Sequence, residues 1–232
     1  MRAMILAAGR GERMRPLTDH CPKPLLRAGD KPLIVYHLDR LATAGFKDIV
    51  INHAHLGEQL VAALGDGSER GLSITWSPEP VGALETAGGI RQALSHLDED
   101  KDTPFLVING DIYCDWPIRP EVLAENDLAH LVLVDNPPHH PAGDFVLTRH
   151  RVADKTNVDT LPTLTFAGIG FYRPSLFKDL TAGQPAKLAP LLRSAMSQGR
   201  VSGTHYTGRW EDVGTPERLA LLDAELRANA AP

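Results

Sequence analysis

The sequence predicts an α/β protein: a mixed, mainly parallel sheet flanked by helices in a single domain. Three observations predict it. Through the first half, short β-branched runs alternate with stretches whose apolar residues recur at helical spacing, the pattern of a parallel sheet covered on both faces. After about residue 128, strand-like runs follow one another without helices, so a mixed region completes the sheet. The 232 residues are 43% hydrophobic and 23% charged, with 20 Gly and 18 Pro spread along the chain, which suits one sizeable core and not a disordered segment.

In chain order, "AMILAA" (3–8) reads as a strand, "LIVYHLDRLATAG" (33–45) as a helix and "DIVINH" (48–53) as a strand. "HLGEQLVAAL" (55–64) reads as a helix and "LSITWS" (72–77) as a strand, which makes βαβαβ. A loop and the helix "TAGGIRQALSHL" (86–97) lead to "PFLVING" (104–110), the strongest buried-strand pattern in the chain, which ends at Asp111. "LAHLVLV" (128–134) is the next strand, and the Pro-rich loop "NPPHHPAGD" (136–144) follows it. Then come the strands "FVLTRH" (145–150) and "TLTFAGIGFY" (163–172), the helix "LAPLLRSAM" (188–196) and the short strand "VSGTHY" (201–206). The closing helix, "TPERLALLDAELRANA" (215–230), carries Thr215 as its N-cap. The two halves, 1–127 and 128–232, differ in pattern without a linker between them.

Net charge narrows the function classes. A formal charge of −5 and no run of Lys or Arg argue against nucleic acid or an anionic membrane surface as partner, so any phosphate bound is a local matter. The apolar stretch after Arg2 is too short for a signal-peptide core or a bilayer span, and the expected address is the cytoplasm. Cys21 and Cys114 stand far apart with no C-x-x-C pair, so neither zinc nor redox chemistry is expected of them.

The stretch "LAAGRGERMRPLT" (6–18) places two glycines, then Arg13 and Arg15, directly after the first strand. A glycine-rich turn there presents bare backbone N–H groups, and basic side chains beside it suit a phosphate. It is not the dinucleotide fingerprint, because Met14 stands where the third glycine belongs and no acid closes the following strand. It is not a Walker A loop either, because Lys23 is too distant and follows Pro22. In open sheets ligands bind beyond the carboxyl ends of the strands, where both this loop and Asp111 fall.

Gly9-x-Gly11-x-Arg13-Met14-x-Pro16-Leu17-Thr18, followed by Pro22-Lys23-Pro24-Leu25, resembles the signature of the sugar-1-phosphate nucleotidyltransferases. Three further segments extend the likeness over almost the whole chain: "LETAGGI" (84–90), "NGDIYCDW" (109–116) and "WEDVGTPERL" (210–219). The resemblance implies the nucleotide-diphospho-sugar transferase fold, Rossmann-like, and a reaction that joins a nucleoside triphosphate to a sugar 1-phosphate and releases pyrophosphate. Glu85 in place of the family's usual glycine, "NGD" with "DW" after it, and "GDF" (143–145) resemble the short members that use UTP and N-acetylmuramate α-1-phosphate in cell-wall recycling. Mannose-1-phosphate guanylyltransferases and glucose-1-phosphate thymidylyl- or uridylyltransferases are the alternatives. No hexapeptide repeat suggests a fused β-helix. A non-catalytic nucleotide-sugar sensor on this fold would be expected to lack Arg13, Lys23 or a metal acid, and all stand here.

Carried onto this sequence, the resemblance assigns Arg13 to the triphosphate, Lys23 to the α-phosphate and the transition state, and Asp111 with Asp212 to a Mg²⁺ ion. Leu6, Ala8, Gly9, Gly11 and Glu12 would line the nucleotide site with Glu85 and Asn109, and the base would lie over Gly11 near the 79–88 loop. The family's Glu-Lys-Pro lysine for the sugar phosphate has no counterpart, which leaves Lys155, Lys187 or Arg149 as substitutes, while Gly143 and Asp144 are the candidates on the sugar side. The histidines of "HAH" (53–55) and "HH" (139–140) lack a third ligand at metal spacing, and Trp76, Trp116 and Trp210 read as core or loop anchors. A monomer or small homo-oligomer is expected.

Overall fold

The computed structural model of the protein describes residues 1–80, 84–98, 102–119, 123–157 and 161–230. The elements in chain order are β1 (Ala3–Leu6), β2 (Arg27–Ala28), β3 (Lys31–Pro32), α1 (Leu33–Thr43), β4 (Asp48–His53), α2 (Gly57–Leu64) and β5 (Ser73–Pro78). They continue as α3 (Glu85–Leu97), β6 (Phe105–Asn109), β7 (Ile112–Cys114), β8 (Ala129–Val134), β9 (Phe145–Thr148), β10 (Arg151–Asp154) and β11 (Thr163–Tyr172). The chain closes with α4 (Leu188–Ser197), β12 (Val201–His205), β13 (Trp210–Asp212) and α5 (Pro216–Ala230).

One sheet runs β5-β4-β1-β6-β11-β8-β12-β10-β9. Its first four strands are parallel; β11 then pairs antiparallel with both β6 and β8, and β12 returns parallel to β8. The switch falls where helices stop separating the strands in sequence, because a parallel neighbour needs a crossover and an antiparallel one does not. Two short pairs lie outside this sheet, β2 with β3 and β7 with β13.

Side-chain alternation divides the core. Ala3, Ile5, Ile49, Ile51, Leu106 and Ile108 face α1 and α2, whose Ile34, Leu38, Leu41, Leu60 and Leu64 cover them. Met4, Val50 and Val107 face the opposite way, against Ile90, Ala93, Leu94 and Leu97 of α3 and Leu188 and Leu192 of α4. A third cluster joins Met14, Leu26, Leu33 and Val213 to Leu219 and Leu222 of α5, so the closing helix packs on the segment that follows the glycine loop. Among the described residues no helix is long and apolar enough to cross a membrane.

In the parallel half, β1 pairs with β4 and β6 so that Leu6, Asn52 and Asn109 stand level at the carboxyl ends. The glycine loop, α3 and the turn at Gly110–Asp111 all begin beyond this row. The strand ends therefore set the floor of a cleft.

Candidate active site

Two cavities open on that edge, and they share Asn109 and Asp111. The first, about 290 Å³, is walled by Leu6 to Gly9, Lys23, Asn52, Glu79, Glu85 and Thr86. The second, about 380 Å³, is walled by Arg13, Pro137, His139, His140, Thr165 to Gly168, Trp210 and Asp212. The first draws its walls from the parallel half, while most of the second comes from residues after 136.

The loop after β1 is shaped by contacts that explain its sequence. Gly11 sits at φ +66, a conformation L side chains rarely adopt, and a Cβ there would lie 3.0 Å from Thr18 Cγ2 and 3.3 Å from Lys23 Cβ. Its carbonyl accepts hydrogen bonds from Met14 N (2.9 Å) and Thr18 Oγ1 (2.8 Å). Gly11 is thus a lid over the stem of Lys23 and is absent from both cavity walls, as is Glu12, which is exposed. Arg13 faces the second cavity, next to the two acids expected to hold metal.

Lys23 begins a short helical turn between two prolines, and its side chain is only 9% exposed. Its Nζ lies 2.7 Å from Asp111 Oδ2, while the Asp111 side chain is 40% exposed. A buried ammonium thus meets a carboxylate that opens on both cavities. The second acid is brought there by β13: Asp212 stands opposite Ile112 in the pairing with β7, and Val213 N donates to Asp111 O at 3.0 Å. Arg218 Nη1 reaches Asp212 Oδ2 at 3.0 Å and donates to His139 Nε2 at 2.6 Å.

The acids Asp111 and Asp212 border one cavity, each faced by a single cation. Magnesium takes one or two protein carboxylates and fills its octahedron with water and substrate phosphate oxygens, so this donor set fits it. Zinc would need three or four nitrogen, sulfur or acid ligands, and no such group of His, Cys, Asp and Glu occurs among the described residues.

The first cavity rests on a buried polar chain. Asn52, at the end of β4, accepts from Ala7 N with Oδ1 (2.7 Å) and donates through Nδ2 to Glu79 Oε1 (2.6 Å). Glu79 Oε2 in turn accepts from Leu84 N (3.2 Å), the residue before α3. Gly89 makes room for this chain, since a Cβ there would come within 3.0 Å of Asn52 Nδ2 and closer still to Glu79. Gly89 of "TAGG" thus serves close approach of α3 to the strand ends, while Gly88 admits the backbone of Gln184 and Ala186. Glu85 begins α3 at φ +58, in the left-handed region, and lines the cavity. That conformation is the one glycine adopts without strain, which accounts physically for a glycine at the equivalent family position. Residues 81–83 of the expected base loop lie outside the described residues.

On the second cavity the structure brings together residues the sequence kept apart. Asp144 stands behind the wall: its Oδ1 lies 3.0 Å from His140 Nε2 and its Oδ2 accepts from Phe166 N at 2.9 Å. The Gly143 carbonyl accepts from Lys155 Nζ at 2.6 Å, so that lysine is tied to the turn. Lys187 and Arg149 are exposed and border neither cavity. Trp210, expected as an anchor, donates its Nε1 to Ala167 O at 2.8 Å and also lines the cavity. His139 and His140 were not expected in the site; the adjacent prolines signalled a loop but not where it folds. The thiols stay outside the chemistry: burial pushes the Cys21 thiol up and Cys114 up to about 11.

Behind the site, His37 of α1 is fully enclosed, with Nε2 2.9 Å from Ile112 O. Burial and the nearby Arg40 guanidinium push its pKa down to about 4, so the ring is neutral near pH 7 and donates to that carbonyl.

The family model for nucleotidyl transferases matches residues 2–229. The chain belongs to this family. It is 56% identical over 229 residues to N-acetylmuramate alpha-1-phosphate uridylyltransferase of Neisseria meningitidis, covering 97% of each chain. It is 34% identical to the protein of that name from Caulobacter vibrioides, covering 97% of this chain and 96% of the relative. A mannose-1-phosphate guanyltransferase of Aspergillus fumigatus is 32% identical over 94% of this chain, which spans 62% of that longer protein. Among solved structures, a putative glucose-1-phosphate thymidylyltransferase from Bacillus anthracis, in complex with a sucrose, superposes with a TM-score of 0.82 at 24% identity, covering 98% of this chain and 95% of that one. That likeness shows the shared fold.

Proposed function

We propose that this nucleotidyltransferase moves a uridylyl group from UTP to N-acetylmuramate α-1-phosphate and releases pyrophosphate. The observation that carries the reading is the pair of cavities meeting at Asn109 and Asp111, one for each substrate, in a chain 56% identical to an enzyme of that name. On this reading residues 1–127 mainly hold the nucleotide, and residues 128–232 hold the sugar and supply the second metal acid. The cytoplasm, where UTP is made, is the expected place of work.

A phosphate oxygen of the sugar 1-phosphate attacks the α-phosphorus in line; the bond from that phosphorus to the β-phosphate oxygen breaks, and pyrophosphate leaves with the electron pair. No covalent enzyme intermediate is needed, so the protein's task is to position two polyanions and offset growing negative charge. Leu6, Ala8, Gly9, Glu85 and Asn109 bound the nucleotide site, with Gly11 and Glu12 shaping its loop. Lys23 directs a fixed ammonium to the reacting phosphate, and Arg13, on the wall of the second cavity with Asp111, offers a planar fork to the triphosphate oxygens. Asp111 and Asp212 would hold Mg²⁺, whose charge offsets that of the phosphate oxygens. Gly143 and Asp144 support the sugar side through the turn and His140.

Pyrophosphate release from a panel of nucleoside triphosphates and sugar 1-phosphates tests this. UTP with N-acetylmuramate 1-phosphate should give the highest kcat/KM. Activity with GTP and mannose 1-phosphate but none with UTP overturns the substrate assignment.

A further inference from the structure

The acceptor cavity carries two neighbouring imidazoles, each braced from behind by a different partner. His140 N donates to Pro137 O at 2.9 Å to close a turn, and Asn136 Nδ2 pins the same loop to β11 through Thr163 O and Oγ1, both at 3.0 Å. His139 Nε2 faces Arg218 Nη1; because arginine can only donate, that nitrogen accepts and the ring proton sits on Nδ1. His140 Nε2 faces Asp144 Oδ1, and because a carboxylate can only accept, that nitrogen carries a proton. Neither Nδ1 has a hydrogen-bond partner among the described residues. Beside this cavity Lys23 is engaged with Asp111 and Arg218 with Asp212, and Arg13 on its wall is assigned to phosphate oxygens, so an acidic substituent entering it would meet two acids unless a further donor received it.

We propose that His140, seconded by His139, receives the lactyl carboxylate of the acceptor sugar, the group that distinguishes N-acetylmuramate from N-acetylglucosamine. This rests on the acceptor named under the proposed function. Held between Asp144 and a substrate carboxylate, the His140 ring as imidazolium donates through both nitrogens, Nε2 to Asp144 and Nδ1 to the ligand. His139 adds a neutral Nδ1–H. Asp144 thereby acts as a positioning residue, since it fixes the ring and the Phe166 amide beside it without bordering the cavity. His140 is the residue to test, because a change at His139 would also disturb Arg218 and Asp212.

The experiment measures kcat and KM with UTP and Mg²⁺ for His140→Gln, Asp144→Asn and the unaltered protein. Three acceptors are compared: N-acetylmuramate 1-phosphate, its lactyl amide and N-acetylglucosamine 1-phosphate. Losing a charge-assisted hydrogen bond should lower kcat/KM of His140→Gln for the acid by roughly tenfold to a hundredfold, mostly through KM. The loss on N-acetylglucosamine 1-phosphate should stay under about threefold, the unaltered protein should lose a similar factor on the amide, and the variant should no longer tell acid from amide. Asp144→Asn, which keeps the shape of the turn, should show the same selectivity in weaker form. Equal losses on all three acceptors would mean that His140 only braces the loop, and continued discrimination of acid from amide by the variant would place the carboxylate elsewhere; either result overturns the proposal. If the unaltered protein turns over neither muramate compound while using another sugar phosphate, the acceptor assignment itself fails and the proposal goes with it.

Discussion

Replacing Lys23 by Met separates what the buried ion pair does for stability from what it does for turnover. At 2.7 Å and an effective dielectric of ~20, the attraction between Lys23 and Asp111 is about 6 kcal/mol gross. Burying an ammonium that is 9% exposed opposes it by several kcal/mol, so the net worth of the pair is small. Methionine keeps most of the stem packed under Gly11, and Asp111, 40% exposed, can turn to water. The expected change in stability is within about 1 kcal/mol, or ~2–4 °C in Tm for a chain of this size. Turnover should respond on another scale. A fixed positive charge aimed at developing phosphate charge in a partly dry site is worth roughly a hundredfold to a thousandfold in kcat. Asp111→Asn should show the reverse asymmetry in stability, since it strands the buried ammonium and costs ~2–3 kcal/mol. Continuous detection of pyrophosphate gives kcat, and calorimetry gives Tm, with kinetics run well below the lowest transition. A Lys23→Met enzyme within about threefold of normal kcat, or an Asp111→Asn protein as stable as Lys23→Met, would refute the reasoning.

Asp212→Asn should lower turnover at least ~100-fold and weaken Mn²⁺ binding in the presence of nucleotide, followed by electron paramagnetic resonance; normal binding would remove Asp212 from the metal set. His37 sets a pH window. Above pH 6.5 neither state holds its extra proton and it contributes nothing; as pH falls toward 4 only the unfolded chain takes that proton up, so stability falls by about 3 kcal/mol and then levels. Urea titrations between pH 7.5 and 4, compared with His37→Asn, isolate this contribution, and parallel stability curves for the two proteins would contradict it. Glu85→Gly relieves a left-handed conformation worth ~1–2 kcal/mol and adds ~0.5–1 kcal/mol of unfolded-state entropy, so Tm should hold or rise by up to about 4 °C while KM for UTP increases. A lower Tm would show that the strain is offset by contacts of the Glu85 side chain.

The parallel half was legible because its two periods are distinct. Strand runs such as "DIVINH" are buried on both faces, and in space the parallel strands lie β5-β4-β1-β6, their chain order reversing at β1, so the ligand edge followed from the strand ends. The pairing of β7 with β13 was not legible. Each strand has three residues, almost a hundred positions separate them, and no apolar alternation marks either one. Only the family resemblance linked Asp111 to Asp212. Asn52 and Glu79 escaped notice for a related reason: their partners are a backbone amide 45 residues away and each other across 27 residues, and neither contact leaves a local signal. The left-handed φ at Glu85 was equally hidden, because glutamate is an ordinary first-turn residue in any helix.

That hidden polar chain adds a polar tie between the glycine loop and the start of α3 to the apolar packing of Met4 and Leu6 with α3. Beyond Leu6 the β1 ladder has run out, so Ala7 N–H would be buried without a partner if Asn52 Oδ1 did not accept it. The same amide then needs an acceptor for Nδ2, Glu79 provides one, and its second oxygen takes the Leu84 N–H. Three otherwise costly groups are thus satisfied in series, and the amides at either end belong to the glycine loop and to the segment just before the helix that begins with Glu85. Strand-end burial forces the chain to exist, and its bond lengths fix the spacing between the two segments that line the first cavity. The geometry of this edge is therefore set by the same residues that keep buried donors and acceptors paired there.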